Sequence, residues 1–278
     1  MKGKLYVVST PIGNLEDISL RAIRTLNEVD LIACEDTRNT RKLLSHYDIK
    51  RPLTSYHEHN EKVKAQELLR QLRSGKNIAL VSDAGTPGIS DPGFRLVKIA
   101  SENGIDIISV PGPSAAVAAL SISGLPTSSF SFFGFLPRTK NKKEAFLKAI
   151  QGSEQTLIFY ESARRVIDTL TSIFHAFGER EISVSRELTK MFEETVRGRS
   201  SDVIEKLRGK KDLKGEFTLV IEGKKDKREE FSIEKLQQGI RSCKDRGFSL
   251  KDTVEELAIK SKFTKNQVYR EALKIWNK

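Results

Sequence analysis

Four short apolar runs punctuate the first half of the chain at intervals too long for hairpins. Residues 5–8, 31–34, 78–81 and 107–110 are each of strand length and lack a clean apolar–polar alternation. Runs of that kind predict strands buried on both faces, as in a parallel sheet covered by helices. Between them the apolar spacing becomes helical. Leu20, Ile23, Leu26 and Val29 recur every three residues, with Asp17 placed to cap, and Val63, Leu68, Leu69 and Leu72 form another stripe that closes at Gly75. This alternation predicts an α/β lobe over residues 1–124.

The Ser123-Gly124-Leu125-Pro126 break opens a second α/β lobe, over residues 125–224. Strands are expected at 130–133, 156–160, 182–185, 194–197 and 217–221, and helices at 142–150, 165–176 and 201–208. Because 194–197 follows 182–185 so closely, this sheet should be partly antiparallel. Phe130, Phe132, Phe133 and Phe135 read as packing residues of a strand, with stacking on nucleobases as the alternative. Charged residues 224–230 read as a linker. Residues 230–278 then carry three short amphipathic stripes: Ile233, Leu236 and Ile240; Leu250, Val254, Leu257 and Ala258; Val268, Ala272, Leu273 and Trp276, with Thr264 capping the last. Their order is similar to a helix-turn-helix, which fits either nucleic-acid contact or assembly.

Composition narrows the partners. The chain has 48 Lys and Arg against 37 Asp and Glu, a net charge of +11, which favours a polyanion. The excess is clustered: Arg138, Lys140, Lys142 and Lys143 form one group, and Lys206, Arg208, Lys210, Lys211 and Lys214 another. No window approaches ~18 consecutive apolar residues, so no membrane helix is expected. The N-terminal apolar run is only a strand long before Pro11 and Gly13, which does not fit an export signal. Cys34 and Cys243 are far apart, which argues against disulfides and structural zinc and makes a reducing cytoplasm the simplest compartment. Cys34 reads as a core residue. His57 and His59 stand two apart with no third ligand, so no metal is expected, and His46 and His175 read as structural or solvated.

The chemistry should lie where polar loops follow the strands. These are Ser9-Thr10-Pro11-Ile12-Gly13-Asn14-Leu15, Glu35-Asp36-Thr37-Arg38-Asn39-Thr40, the twelve-residue Ser82-Asp83-Ala84-Gly85-Thr86-Pro87-Gly88-Ile89-Ser90-Asp91-Pro92-Gly93, and Pro111-Gly112-Pro113-Ser114-Ala115. Open α/β sheets bind ligands at this edge, so four such loops in succession describe a ligand cleft rather than ordinary turns. No Gly-x-Gly-x-x-Gly loop or Walker lysine is present, which weighs against dinucleotides and nucleoside triphosphates. The residues alone imply a small ligand held by several backbone-rich loops, with Asp83 offering a carboxylate.

Taken with Gly134-Phe135-Leu136-Pro137 and Arg186-Glu187-Leu188-Thr189-Lys190, these loops resemble one family along essentially the whole chain. It is the ribosomal RNA small-subunit (cytidine-2'-O)-methyltransferases, within the tetrapyrrole methylase superfamily. The resemblance implies a homodimer of two-lobed subunits with S-adenosyl-L-methionine bound between the lobes. The implied substrate is a cytidine of the small ribosomal subunit or its RNA, methylated on the ribose 2'-hydroxyl. It also implies cofactor contacts from Pro11, Asp83, Ala84, Gly85, Ile89, Ser114 and Ala115 on one side, and from Tyr160, Glu161, Leu188, Glu216, Phe217 and Thr218 on the other. One departure stands out: the family's Pro-His-Arg after Tyr-Glu is replaced by Ser162-Ala163-Arg164-Arg165, which removes a histidine from any proton-transfer role.

Lys190, with Glu187 or Glu193, is the expected catalytic group. A lysine acts as base only if burial or nearby cations lower its pKa; the alternative is that Lys190 and Arg186 grip phosphates. Arg38, Arg41, Arg138, Lys140, Arg164 and Arg186 are the expected RNA contacts, with ion pairing to Glu35 or Asp36 an alternative for Arg38 and Arg41. A methyltransferase acting on a tetrapyrrole or other small anion remains the competing reading.

Overall fold

The computed structural model describes residues 2–210, 212–225, 233–261 and 263–276. They divide into two compact units, Met1–Lys224 and Lys225–Lys278. Most of the expected 224–230 linker, and Lys211 of the second basic cluster, lie outside the described residues.

The larger unit holds two five-stranded sheets. The first is built from β1 (Leu5–Val8), α1 (Leu20–Glu28), β2 (Leu31–Cys34), α2 (Thr37–His46), β3 (Leu53–Ser55), α3 (Glu61–Arg73), β4 (Ile78–Val81), α4 (Phe94–Glu102) and β5 (Ile107–Val110). Its strands are all parallel, in the order β3-β2-β4-β1-β5. Leu5, Ile78 and Leu80 pack on one face against Leu68, Leu72 and Leu96, while Val8, Ile32 and Val81 pack on the other against Ala22, Leu26 and Leu44. Burial on both faces explains the unbroken apolar runs.

Two local expectations are corrected. Ser19, not Asp17, caps α1, its hydroxyl accepting from the Ala22 amide at 3.1 Å; Asp17 ends a single 3-10 turn, Leu15–Asp17. Leu20 and Val63 face solvent, and the buried stripes are Ala22, Thr25 and Leu26 on α1 and Ala65, Leu68, Leu69 and Leu72 on α3.

Helix α5 (Ala115–Ile122) leads to the second sheet, made of β6 (Phe130–Phe135), α6 (Lys140–Ile150), β7 (Thr156–Ser162), α7 (Val166–Phe177), β8 (Glu181–Arg186), β9 (Glu194–Arg199), α8 (Ser200–Arg208) and β10 (Glu216–Ile221). The order is β6-β7-β10-β8-β9, with only the β6–β7 pair parallel. One face packs Phe159, Val184 and Leu219 against Leu170, Ile173, Val203 and Leu207. The other packs Ile158, Leu188 and Val220 against Ala116, Ala119 and Leu120 of α5. The β6–β7 register shifts between Phe132 and Phe135, where Gly134 sits at φ +61°. A bulge there turns consecutive aromatics to different sides. Phe133 stacks on Phe159 in the core, whereas Phe135 is exposed.

The smaller unit is three helices, α9 (Ile233–Asp245), α10 (Leu250–Lys260) and α11 (Lys265–Trp276), around Leu236, Ile240, Cys243, Val254, Leu257, Val268 and Ala272. Ahead of α11, the Thr264 hydroxyl accepts from the Gln267 amide and the Gln267 side chain accepts from the Thr264 amide, a reciprocal cap. Cys34 and Cys243 are buried free thiols. Among the described residues no helix is long and apolar enough to cross a membrane.

Candidate active site

Strands β1 and β4 are neighbours, so the loops that follow them run side by side. Thr10 and Gly85 exchange both backbone hydrogen bonds, at 2.9 and 3.0 Å, and the Ser9 and Thr86 hydroxyls meet at 2.8 Å. The α5 N-terminus joins them: its Ala116 amide donates to the Tyr160 hydroxyl across from β7 at 3.2 Å. Burial pushes the Tyr160 phenol pKa up, so the ring stays neutral.

The loops after β1, β4 and β5 face β7, the 187–190 segment and the start of β10 across a cavity of about 310 Å³, a size usual for small-molecule sites. Among the residues expected to hold a cofactor, the structure brings Ala84, Gly85, Ile89, Ser114, Ala115, Tyr160, Glu161, Leu188, Glu216, Phe217 and Thr218 to its wall. Pro11 and Asp83 are not in the lining. Asp83 turns instead toward the second loop, accepting from the Asp36 amide at 3.0 Å and the Asn39 side chain at 2.9 Å. The Glu161 carboxylate is wholly buried and held by the Ser162 amide, the Thr169 hydroxyl and Arg165. Ile12, Ser90, Asp91 and Phe135 also line the cavity.

Gly13 sets how closely the first loop meets the second sheet. A Cβ there would fall 2.4 Å from Lys190 Cγ, 2.8 Å from Thr189 Oγ1 and 3.0 Å from the Leu188 carbonyl. The Asn14 amide donates to Thr189 Oγ1 in the same contact. Gly13→Ala is expected to cost about 1–3 kcal/mol, as overpacking does, and to weaken ligand binding in the cavity. Thermal melts with and without ligand would show both effects, and a variant indistinguishable from the parent would refute the packing argument.

Three features set the electrostatics. Asp91 is desolvated and faces the charges of Glu35, Asp83 and Glu216; a Ser82 hydrogen bond only partly opposes them, and its pKa is pushed up to about 6. Lys190 Nζ lies 2.9 Å from Glu187 and 3.0 Å from Glu216. Burial alone would lower its pKa, but the two carboxylates outweigh burial and raise it. The condition for a neutral lysine base, a lowered pKa, is therefore not met. Glu187 is likewise held low: burial opposes ionisation, but Lys190 and the Glu216 amide prevail. Glu193 accepts from the Thr189 amide at 2.7 Å and braces the turn around Lys190.

None of the expected RNA contacts lines the cavity. Arg38 is exposed and bound to Asp36 at 2.7 Å, and its hydrogen bonds hold the Asp36 carboxyl down at about 2. Arg41, Arg138, Lys140 and Arg164 are exposed, and Arg186 donates to the Lys214 carbonyl at 2.7 Å. The His57 and His59 rings are 6.0 Å apart, and the described residues hold no group of three or more potential metal ligands.

A model of the tetrapyrrole (corrin/porphyrin) methylases matches residues 4–204, from β1 into α8. The chain belongs to that family. Among its relatives, the ribosomal RNA small subunit methyltransferase I of Halalkalibacterium halodurans is 47% identical over 272 residues, 96% of this chain and 94% of that one. The protein of the same name from Thermotoga maritima is 49% identical over 222 residues, 80% of this chain and 99% of that protein, a length close to that of the larger unit. Solved methylases share the fold. The uroporphyrin-III C-methyltransferase of Thermus thermophilus, complexed with S-adenosylhomocysteine, superposes with a TM-score of 0.54 at 17% identity, over 79% of this chain and 97% of that one. A cobalt precorrin-4 methyltransferase gives 0.58 at 16% identity, over 79% and 94%.

Proposed function

We propose that this methylase transfers a methyl group from S-adenosyl-L-methionine to the ribose 2'-hydroxyl of a cytidine in small-subunit ribosomal RNA, as a homodimer in the cytoplasm. The observation that carries the reading is 47% identity across 96% of the chain with a protein named for methylating that RNA. The cavity fits the donor. Ile12, Ile89, Leu188 and Phe217 give it apolar walls, and Asp91 offers a partly buried carboxylate to a cation. When bound, S-adenosyl-L-methionine supplies an electrophilic methyl group on a positively charged sulfur.

The chain's own residues do the rest. Ala84, Gly85, Ser114, Ala115, Tyr160 and Thr218 would hold the cofactor beside those apolar groups, with Pro11, Asp83, Glu161 and Glu216 shaping or bracing the wall. Alignment of donor and acceptor contributes roughly 7–11 kcal/mol in favourable cases. Lys190 acts as an ammonium at the acceptor side: a hydroxyl beside a fixed cation gives up its proton to water more readily as the methyl group is transferred. Glu187 positions that ammonium, and Glu193 fixes the turn that carries it. Arg38, Arg41, Arg138, Lys140, Arg164 and Arg186 would engage RNA phosphates, where guanidinium and ammonium groups are effective.

The test is to incubate the full chain with labelled S-adenosyl-L-methionine and either small ribosomal subunits or free tetrapyrroles. Label in ribosomal RNA that survives as a 2'-O-methylated cytidine is the expected result. Label only in tetrapyrroles would favour small-anion methylation, and no transfer to either would end the proposal.

A further inference from the structure

The segment linking β8 to β9 carries a feature that neither the cavity nor the fold requires. The Lys190 carbonyl accepts from the Glu193 amide at 3.0 Å, closing a tight turn whose two central residues are Met191 and Phe192. They are 91% and 70% exposed. Turn corners are usually Gly, Pro, Asn, Asp or Ser, and two large apolar side chains there contribute nothing to local geometry. The turn is nonetheless firmly held. Thr189 donates to Glu193, Asn14 donates to Thr189, and Lys190 is anchored by Glu187 and Glu216. Its first residue lines the cavity, and the next two are exposed outside that lining.

What would cover this tip? A two-residue corner is far smaller than the ~800 Å² per partner of a stable protein interface. Its base is of mixed charge: Lys190 lies between Glu187 and Glu216, Lys210 sits on the Glu194 carboxylate where β9 begins, and Arg186 stands where β8 ends. An exposed aromatic ring two residues from a cavity-lining lysine suits a nucleobase, on whose face it can stack. A ribose hydroxyl enters a recess between two lobes more readily when its nucleotide is drawn out of the stack.

We infer that Phe192, supported by Met191, stacks on a nucleobase next to the methylated ribose and holds the RNA open over the cavity. This rests on the RNA reading above. Phe192 is then a substrate-contacting residue of the acceptor side, and the cofactor side is independent of it.

The experiment compares the full chain with Phe192→Ala, Phe192→Leu and Phe192→Trp on small ribosomal subunits, with cofactor affinity by calorimetry, Tm and sedimentation as parallel measurements. Phe192→Ala and Phe192→Leu should raise KM for subunits roughly tenfold or more, while cofactor affinity and Tm stay at parental values. Phe192→Trp should restore KM to within about twofold, because an indole also stacks. An unchanged KM in Phe192→Ala overturns the inference. Full rescue by leucine overturns it too, since that would mean apolar contact without stacking. Dissociation of Phe192→Ala into smaller species would assign the tip to a contact between copies and likewise overturn it. Failure of the parent protein to methylate subunits appears before any variant is made, and counts against the RNA reading itself.

Discussion

Replacing Lys190 with methionine is expected to lower turnover on small ribosomal subunits about a hundredfold or more, the scale for losing one preorganised charge-stabilising donor, without weakening cofactor binding. Methionine keeps most of the side-chain length and removes the ammonium together with its hydrogen bonds to Glu187 and Glu216. Because Glu187 and Glu216 raise the lysine pKa above its ordinary 10.5, the ammonium persists throughout the neutral range. The rate should therefore show no lysine-dependent fall as pH drops from about 9 to 7. A lysine base would behave oppositely, with activity climbing as the ammonium deprotonated near neutrality. The cofactor, itself cationic, should bind the methionine variant as well as or better than the parent. Near-normal turnover in Lys190→Met, or a lysine inflection close to pH 7, would remove Lys190 from the mechanism.

Asp91→Asn should weaken S-adenosyl-L-methionine binding by about 10- to 100-fold, as expected for a lost hydrogen bond or contact between charged groups, and yet raise the Tm of the ligand-free protein. The two effects share a cause. Burial, then the charges of Glu35, Asp83 and Glu216, lifts this carboxyl from an ordinary 3.8 to about 6. An acid whose pKa is raised on folding holds its proton more tightly in the folded state. Folded stability therefore declines as pH rises from about 3.8 through about 6, and the whole cost is present at neutral pH. A bound cation relieves that cost, and asparagine removes it permanently. Parental affinity should fall as pH drops below about 6, by up to about tenfold per unit, and the asparagine variant should lack that dependence. Calorimetry across pH 5 to 8 would decide it, and a variant that binds like the parent at neutral pH would take Asp91 out of the site.

Much of the architecture could be read from residue order, because burial leaves a plain signature. Strands β1, β2 and β4 lie inside the sheet and appear as uninterrupted apolar runs, while the edge strand β5 keeps the pattern except at exposed Ser109. Strand β3 leaves no such signature because it is a three-residue, half-buried edge, too short to differ from a loop. The cavity loops stood out by their glycine and proline content, but the division of labour inside them did not. Asp83 and Asp91 sit in one loop and look equivalent as residues; only the fold turns the first toward Asp36 and Asn39 and leaves the second facing the cavity. Phe135 was hidden for a similar reason. Alternation along β6 would have kept it with Phe133, and a positive φ at Gly134 separates them. The ionisation of Lys190 depends on Glu216, 26 residues away, a pairing that no local pattern records.

Helix α5 follows the last strand of the first sheet, but its buried side, Ala116, Ala119 and Leu120, rests on Ile158 and Val220 of the second. The second half of the catalytic body thus borrows part of its covering from the first. A chimera spliced at the 123–126 turn, meant to graft one methylase's acceptor side onto another's donor side, would separate the second sheet from the helix moulded to it. Splicing ahead of residue 115 keeps that pair intact, so exchange of specificity between such enzymes should succeed at the earlier junction and yield insoluble protein at the later one.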